Sequence, residues 1–489
     1  MSLEGGNLMK RKSLKLNIVM NFILTVSNFI FPLITFPYVS RVLLPVGTGK
    51  VAFATSIVSY FSMVGMLGIP TYGIRACAKV RNDRDKLSKT VQEIMVINSV
   101  AMGLSLLVYI IAIILVPRMA QDRVLFMINI ATLFFNLIGC DWLYKALEQY
   151  SYITSRSILL KLVSLVLMFL MVHQKSDYVI YGAITILASV GSNFFNFINL
   201  RRFLHLKWYP NMNLSQHIKP IFSFFMMTIA TTVYTNLDSV MLGFMKGDEA
   251  VGYYNAAVKI KTILVSLVTS MGAVLLPRLS FYVKEGKTKE FKELTVRSLQ
   301  FVCFVSIPLW IYFTVFAKEG IYFLSGDAYT GSILPMQIIM PTLFLIGISN
   351  LLGIQILVPM DRENDVLKSV SLGAIVNLLI NAIFISRFGA SGAAFGTLVA
   401  EFFVTSYQIY VLRDFLKEIV ANVKLYKNII STLLATILVL IANTLFISNI
   451  SSLFMVLVIS AIIFGLIYGL VGLLLKEEFT MYLLRYMKK

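Results

Sequence analysis

A carboxylate and two ammonium groups stand inside stretches that are otherwise apolar. From Lys219 to Leu279 the chain reads KPIFSFFMMTIATTVYTNLDSVMLGFMKGDEAVGYYNAAVKIKTILVSLVTSMGAVLLPRL, two long apolar runs joined by a short polar turn at 246–249. Asp238 lies in the first run, and Lys259 and Lys261 lie in the second. A charged side chain at the centre of a bilayer costs about 2.5–3.5 kcal/mol on insertion scales, so it turns toward protein or a watery cavity. Helical spacing continues Asp238 along a stripe of Thr228, Thr231, Tyr234 and Thr235. Lys259 shares its stripe with Gly252, Asn255, Ala256, Thr262, Ser266, Thr269 and Ser270. Lys261, about 200° further round the helix, falls among Tyr254, Val258, Leu264, Val265 and Val268, the apolar face. Counted from the turn, Asp238 and Lys259 share a depth of roughly 15 Å at 1.5 Å per residue. The expected arrangement is a polar pair, either an ion pair that locks two helices or the lining of a path for a polar, anionic cargo.

Other constellations invite the same two readings. In the first apolar run Asn17, Asn21, Thr25, Asn28, Pro32 and Thr35 fall on one helical face. Asparagine in hydrocarbon must find partners, so this face turns inward, toward another helix or a hydrated cavity. Arg41 joins the cavity residues at the far end of that run. Pro32 and Pro37 free backbone carbonyls and are expected to bend the helix. Further on, Thr397, Glu401, Thr405 and Gln408 share a face on which Glu401 either couples protons or bonds a neighbouring helix. At 141–156, Asp141 and Glu148 sit seven residues apart, with Lys145 and Arg156 placed to pair with them. That cluster is a charge lock at a helix end or a gate. Arg75 and Arg278, each opening a basic loop, belong to the same candidate gate. Among enzyme signatures, HExxH, Walker A and GxSxG are absent, and no Cys/His set has metal-ligand spacing.

The elements that must position these groups are membrane spans. Of the 489 residues 58% are hydrophobic and 14% charged, against nearer a quarter charged in soluble chains. Mean hydropathy is +0.81. The fold class is therefore an all-α integral membrane protein. Fourteen apolar segments are expected at about 15–38, 50–70, 91–116, 122–145, 152–173, 177–200, 219–245, 250–277, 296–317, 332–358, 369–387, 390–412, 425–447 and 451–475. Most match the roughly 20 residues of a spanning helix. The net charge of +19 would suit a nucleic-acid binder, but the basic residues alternate with apolar runs, which is the pattern of membrane orientation. With the amino terminus cytoplasmic, thirty-two of the 43 Lys and Arg fall in cytoplasmic segments and eight on the other side. Both termini are then cytoplasmic, and the basic amino terminus reads as the start of an uncleaved first span. Cys77, Cys140 and Cys303 fall in or beside spans and imply no disulfide framework. A faint internal repeat aligns Gly49 with Gly252, Ala54 with Ala257, Ile57 with Ile260 and Arg75 with Arg278. The expected division is a lobe at 1–218 (spans 1–6), a lobe at 219–424 (spans 7–12) and two appended spans with a cytoplasmic tail at 425–489. Transporters commonly bind their cargo between such repeats.

Several stretches together resemble one family. They are D141-W-L-Y-K-A-L-E-Q-Y-S-Y-I-T-S-R156, S40-R-V-L, P70-T-Y-G-I-R75, D238-S-V-M-L-G, V251-G-Y-Y-N-A-A-V-K259 and G389-A-S-G-A-A-F-G-T-L-V-A-E401. The chain resembles, over essentially its whole length, the bacterial oligosaccharide repeat-unit flippases of the multidrug/oligosaccharidyl-lipid/polysaccharide exporter superfamily. Ala146 stands where that family often has glycine. The resemblance implies a two-lobed bundle in the bacterial cytoplasmic membrane, carrying undecaprenyl-diphosphate-linked oligosaccharide to the outer leaflet for O-antigen, capsule or exopolysaccharide. It implies no cofactor, leaves proton or sodium coupling open, and leaves room for the polysaccharide polymerase and chain-length machinery as partners besides membrane lipids.

Three other functions compete. A drug or cation antiporter of the same superfamily commonly has twelve spans and often a carboxylate in the first, where this chain has fourteen apolar segments and asparagine rather than aspartate on the first-span stripe. A peptidoglycan-precursor flippase shares the span count but not the 141–156 motif. A polytopic glycan polymerase needs carboxylates in a sizeable outer loop, and no outer loop here exceeds about 15 residues.

Overall fold

The computed structural model describes residues 14–205, 207–420, 423–447 and 450–487. The basic residues Lys10, Arg11, Lys12, Lys488 and Lys489 lie outside them, as do the side chains of Lys15 and Arg485. Among the described residues all regular structure is helical. Lipid offers no partner to a backbone N–H or C=O, so a spanning segment closes its hydrogen bonds within itself. Ten of the helices are long and apolar enough to cross a membrane, or up to 12 if each of two bent pairs is one span. The expected number of fourteen is not confirmed.

The first helix, α1 (Leu14–Met66), shows where the difference arises. Its 53 residues would run about 80 Å at 1.5 Å per residue, far beyond a hydrocarbon core of about 30 Å. The single non-helical residue inside it is Leu44, at φ 59° and ψ 178°. Leu44 precedes Pro45, and the proline ring disfavours the α conformation in the residue before it. The break therefore falls at Pro45 and not at Pro32 or Pro37, and the expected first two spans form one helix with a hinge. At that hinge the chain passes between two compact units. The first contains the residues up to Leu43 and Ala54–Thr232, and the second contains Leu44–Phe53 and Val233 onward.

In the first unit α2 (Ile69–Val80) and α3 (Arg84–Leu115) follow α1. A short helix, α4 (Asp141–Ala146), then leads into α5 (Tyr150–Met171). The core gathers Ile69 and Cys77 of α2, Ile94 of α3 and Trp142, Leu143 and Tyr144 of α4. The long α6 (Ser215–Met245) carries the chain from the first unit into the second. There α7 (Asp248–Lys284), α8 (Glu363–Phe388) and α9 (Ala390–Val411) hold the residues of interest. The turn between α8 and α9 falls at Gly389, φ 54°, as its place in the sequence implied. The segment 332–358 bends by 48° between Asp327–Ile339 and Thr342–Leu357, beside Pro341. Helices Leu425–Leu445 and Leu453–Leu474 close the unit as an antiparallel pair.

Burial is inverted relative to a water-soluble bundle. Leu104, Leu466 and Leu474 are 61–73% exposed, whereas Asn98, Ser164, Asn196 and Asn381 are at most 1% exposed. Apolar side chains face outward because lipid is their solvent, and polar ones turn inward to find partners. This is a multi-pass membrane protein.

Candidate functional site

In the second unit, four helices converge on Asp238, which is buried on α6. Its Oδ1 accepts hydrogen bonds from Asn377 Nδ2 (3.1 Å) and Asn381 Nδ2 (2.6 Å) of α8. Its Oδ2 accepts from the Tyr254 hydroxyl of α7 (2.5 Å) and the Thr397 hydroxyl of α9 (2.8 Å). Tyr254 and Thr397 also meet at 2.9 Å, and Asn381 donates to Asn377 Oδ1 at 3.0 Å. Four neutral donors thus occupy both oxygens of one carboxylate. Such bonds to a charged acceptor are roughly twice as strong as those between neutral groups.

The expected partner of Asp238, Lys259, is not among these donors. Lys261, read from the sequence as facing apolar neighbours, is the lysine within electrostatic reach of both Asp238 and Glu401. The helix face of α7 is therefore corrected. Tyr254 and Lys261 lie seven residues, about 700°, apart, so they share a face, and that face is the one turned to the acids. The misreading has a physical cause. Thr262, Ser266, Thr269 and Ser270 each donate to a carbonyl of their own helix, at 2.6–2.9 Å. A hydroxyl satisfied in this way need not turn inward, and Thr262 and Ser270 are exposed.

Glu401 does turn inward with its stripe: Thr397, Glu401, Thr405 and Gln408 are all buried. Its neighbours are Lys261 and the Tyr234 hydroxyl. That hydroxyl is buried beside the carboxylate but meets hydrogen-bond geometry with no described group. Two acids, one lysine, two tyrosines, two asparagines and a threonine thus form one polar cluster inside a helical unit.

The first unit holds a second polar site that the sequence reading passed over. Lys161 of α5, 9% exposed, donates to Asn28 Oδ1 (2.5 Å) and Ser27 Oγ (2.8 Å) of α1. No carboxylate lies within ion-pair distance of it among the described residues. Of the expected first-span stripe, Asn17 is buried, while Asn21, Thr25 and Asn28 are exposed, and of these three only Asn28 meets this cation. Arg41 is exposed and donates to the Pro37 carbonyl at 2.6 Å. The signal for Lys161 was its place mid-span; its partners, more than a hundred residues away, carried none.

The 141–156 cluster divides in two. Asp141 pairs with Arg156 and, at 2.9 Å, with Lys145. The Arg156 guanidinium, 6% exposed, also donates to Ser192 Oγ at 2.5 Å. Glu148 pairs with Arg81 at 2.7 Å, and not with Arg156. The helix stops at Ala146, and Glu148 takes a positive φ of 56°, so the seven-residue spacing no longer places both acids on one face. Tyr144 and Tyr152 donate to the carbonyls of Asn196 and Phe195, fastening the motif to the helix Asn193–Asn199. Arg75 and Arg278 take no part in this cluster. Arg75 is exposed, and Arg278 donates to the Tyr282 hydroxyl at 3.0 Å.

A prediction follows from the burial of these pairs. Glu148→Ala and Arg81→Ala are each expected to change unfolding stability by less than about 1 kcal/mol, because the pair is half exposed. Arg156→Ala is expected to cost about 2 kcal/mol, because it removes a buried guanidinium that donates to both Asp141 and Ser192, although Asp141, 34% exposed, keeps Lys145. Thermal unfolding of the purified variants in one detergent checks this; an Arg156→Ala melt as high as that of Glu148→Ala would contradict it.

Comparison with known proteins agrees with this architecture. The family model described as "Polysaccharide biosynthesis protein" matches residues 14–283, and the "MatE" model matches 223–383. A protein of Escherichia coli (strain K12) named "Putative O-antigen transporter" is 28% identical over 411 residues, covering 82% of this chain and 97% of that one. A protein of the same name from Shigella dysenteriae is 24% identical over 406 residues, covering 82% and 100%. Among solved structures, "Lipid II flippase MurJ, inward closed conformation" superposes with a TM-score of 0.74 at 13% identity, covering 94% of this chain and 98% of that one. An inward-facing multidrug resistance MATE family transporter gives 0.59 at 12% identity, covering 83% and 98%. At such identities the likeness is one of fold. The chain belongs to the polysaccharide biosynthesis protein family, and with it to the multidrug/oligosaccharidyl-lipid/polysaccharide exporter superfamily of membrane transporters and flippases.

Proposed function

We propose that this protein flips undecaprenyl-diphosphate-linked oligosaccharide repeat units from the inner to the outer leaflet of a bacterial cytoplasmic membrane, supplying O-antigen, capsule or exopolysaccharide assembly. The observation that supports this most directly is Lys161, a buried cation held by two neutral side chains. Burying an ammonium without a countercharge is costly, and a diphosphate would supply one when cargo arrives. The names of the Escherichia coli and Shigella relatives favour the same cargo class. In this reading Asn21, Asn28, Arg41 and Lys161 meet the head group, while Asp238, Lys259, Lys261 and Glu401 serve the second lobe. The lobes at 1–218 and 219–424 alternate in access, residues 425–489 are appended, and both termini are cytoplasmic. The Asp141–Arg156 pair acts as a structural lock.

Deleting the gene in its host tests the reading. Surface polysaccharide is expected to disappear and undecaprenyl-linked repeat units to accumulate, both restored by the wild-type gene and not by Lys161→Ala at equal membrane level. Unchanged surface glycan with accumulated peptidoglycan precursor would overturn this reading in favour of a precursor flippase.

A further inference from the structure

A groove of about 410 Å³ opens in the first unit, lined by Tyr72, Arg75, Lys79, Thr90, Gln216 and His217 with three neighbouring residues. Its size falls within the range of roughly 300–1,000 Å³ common for small-molecule sites. Three elements build it. From α2 come Tyr72, Arg75, Ala76 and Lys79, spaced so that they fall on one helical face. From α3 comes Thr90, and from the start of α6 come Gln216, His217 and Pro220. The close approach of α6 to α2 depends on Gly68, where a Cβ would stand 2.3 Å from the Ile221 carbonyl oxygen.

The charges around this groove are sorted. Glu93, the acid behind it, is 2% exposed and already engaged. It accepts from the Asn213 amide (2.8 Å) and the Gln216 side chain (3.1 Å), meets His217 Nε2 at 2.9 Å, and has Lys89 at 4.0 Å. The other imidazole nitrogen of His217 bonds the Tyr72 hydroxyl at 2.7 Å, so the ring forms a fixed floor. The neighbouring basic residues are also engaged. Arg81 pairs with Glu148, Lys86 with Asp83, and Arg84 donates to the carbonyls of Arg201 and Leu204. Arg75 and Lys79 have no ion pair or hydrogen bond among the described residues, and they are the two cations that line the groove. A concave site with two uncommitted cations, a hydroxyl and an amide, with the Glu93 carboxylate behind it engaged by donors and by Lys89, is built for a multiply charged oxyanion.

We propose that this groove binds a phosphate or diphosphate group through Arg75 and Lys79, at a place separate from Lys161 and independent of which cargo the protein flips. The same chemistry could be presented by the head group of a membrane lipid or by free phosphate.

The test uses the full-length protein in a neutral detergent, with inorganic pyrophosphate and inorganic phosphate as probes and binding read by calorimetry. Saturable pyrophosphate binding is expected, weakened about tenfold or more in the Arg75→Ala/Lys79→Ala double variant, a loss of about 1.4 kcal/mol or more. Binding should stay near wild type in Lys284→Ala/Lys287→Ala, which alters another basic loop. Thr90→Asp, which sets a carboxylate in the groove and leaves both cations, should weaken binding as well. Nanodiscs then separate the sources. Loss of pyrophosphate binding in phosphatidylglycerol but not phosphatidylcholine discs assigns the groove to a lipid head group; equal binding in both assigns it to soluble phosphate. Equal affinity in wild type and the double variant, or no saturable binding in detergent and phosphatidylcholine discs, would overturn the proposal. The flippase reading stands or falls separately, on the glycan phenotype of the deletion strain.

Discussion

Asp238→Ala is expected to remove most of the protein from the membrane and to abolish transport, whereas Asp238→Asn is expected to keep normal protein levels. The alanine leaves four buried donors, on Asn377, Asn381, Tyr254 and Thr397, without their shared acceptor. Each buried polar group left unsatisfied costs about 1–3 kcal/mol. Some of these donors can re-pair among themselves once the carboxylate is gone, since the Tyr254 and Thr397 hydroxyls stand 2.9 Å apart, so a net loss of about 3 kcal/mol is expected. Asparagine behaves differently because of what its neighbours can accept. Its carbonyl can keep the two amide donors of α8, and its own amide can face the hydroxyls of Tyr254 and Thr397, which accept as readily as they donate. The fold survives, and the charge that Lys261 faces is removed. Asp238→Asn should therefore reduce surface glycan at least about tenfold if the negative charge serves transport. The check is surface polysaccharide in a deletion strain, normalised to the amount of each variant in the membrane. Normal levels of Asp238→Ala would show that the donors do not depend on this carboxylate.

The second large effect is expected at a glycine pair. Gly49 and Gly252 bring the backbone after the Leu44 hinge against the first turns of α7. A Cβ at Gly49 would stand 1.8 Å from the Asp248 carbonyl oxygen, and one at Gly252 would stand 2.1 Å from the Pro45 carbonyl oxygen. Both obstacles are backbone, so no side-chain rotation relieves them and the helices must separate. Forcing a methyl group into a well-packed contact costs about 1–3 kcal/mol or more. Gly49→Ala and Gly252→Ala should each lower the melting temperature and the yield of monodisperse protein. The double variant should cost less than the sum, because one separation accommodates both methyl groups. Gly103→Ala is the control: nothing lies within 4 Å of a Cβ there, and alanine gains up to about 1 kcal/mol of helix propensity over glycine. A Gly49→Ala protein as stable as Gly103→Ala would mean that the two backbones are not held in contact.

By itself the sequence determined what solvent the chain lives in and where most of its helices run. Apolar runs of spanning length leave a backbone in lipid no alternative to the helix, and Gly389 marks the α8–α9 turn where the apolar pattern pauses. It also determined that Thr397, Glu401, Thr405 and Gln408 face inward, because a carboxylate and a glutamine cannot satisfy themselves on their own helix. The faint repeat had paired Gly49 with Gly252 by register alone, without indicating that the two approach each other. Tertiary structure decided what depends on choices between faces and between distant partners. Hydroxyls on α7 bond to their own helix carbonyls, so a threonine and serine stripe did not reveal which side meets the acids, and the face that carries Tyr254 and Lys261 is the one turned to Asp238. One residue at positive φ, Glu148, turned its carboxylate away from Arg156 and toward Arg81. Lys161 found Asn28 across 133 positions of chain. Local pattern carries no record of such a contact, because what selects it is the cost of burying a cation without partners, and that cost exists only once the helices have met.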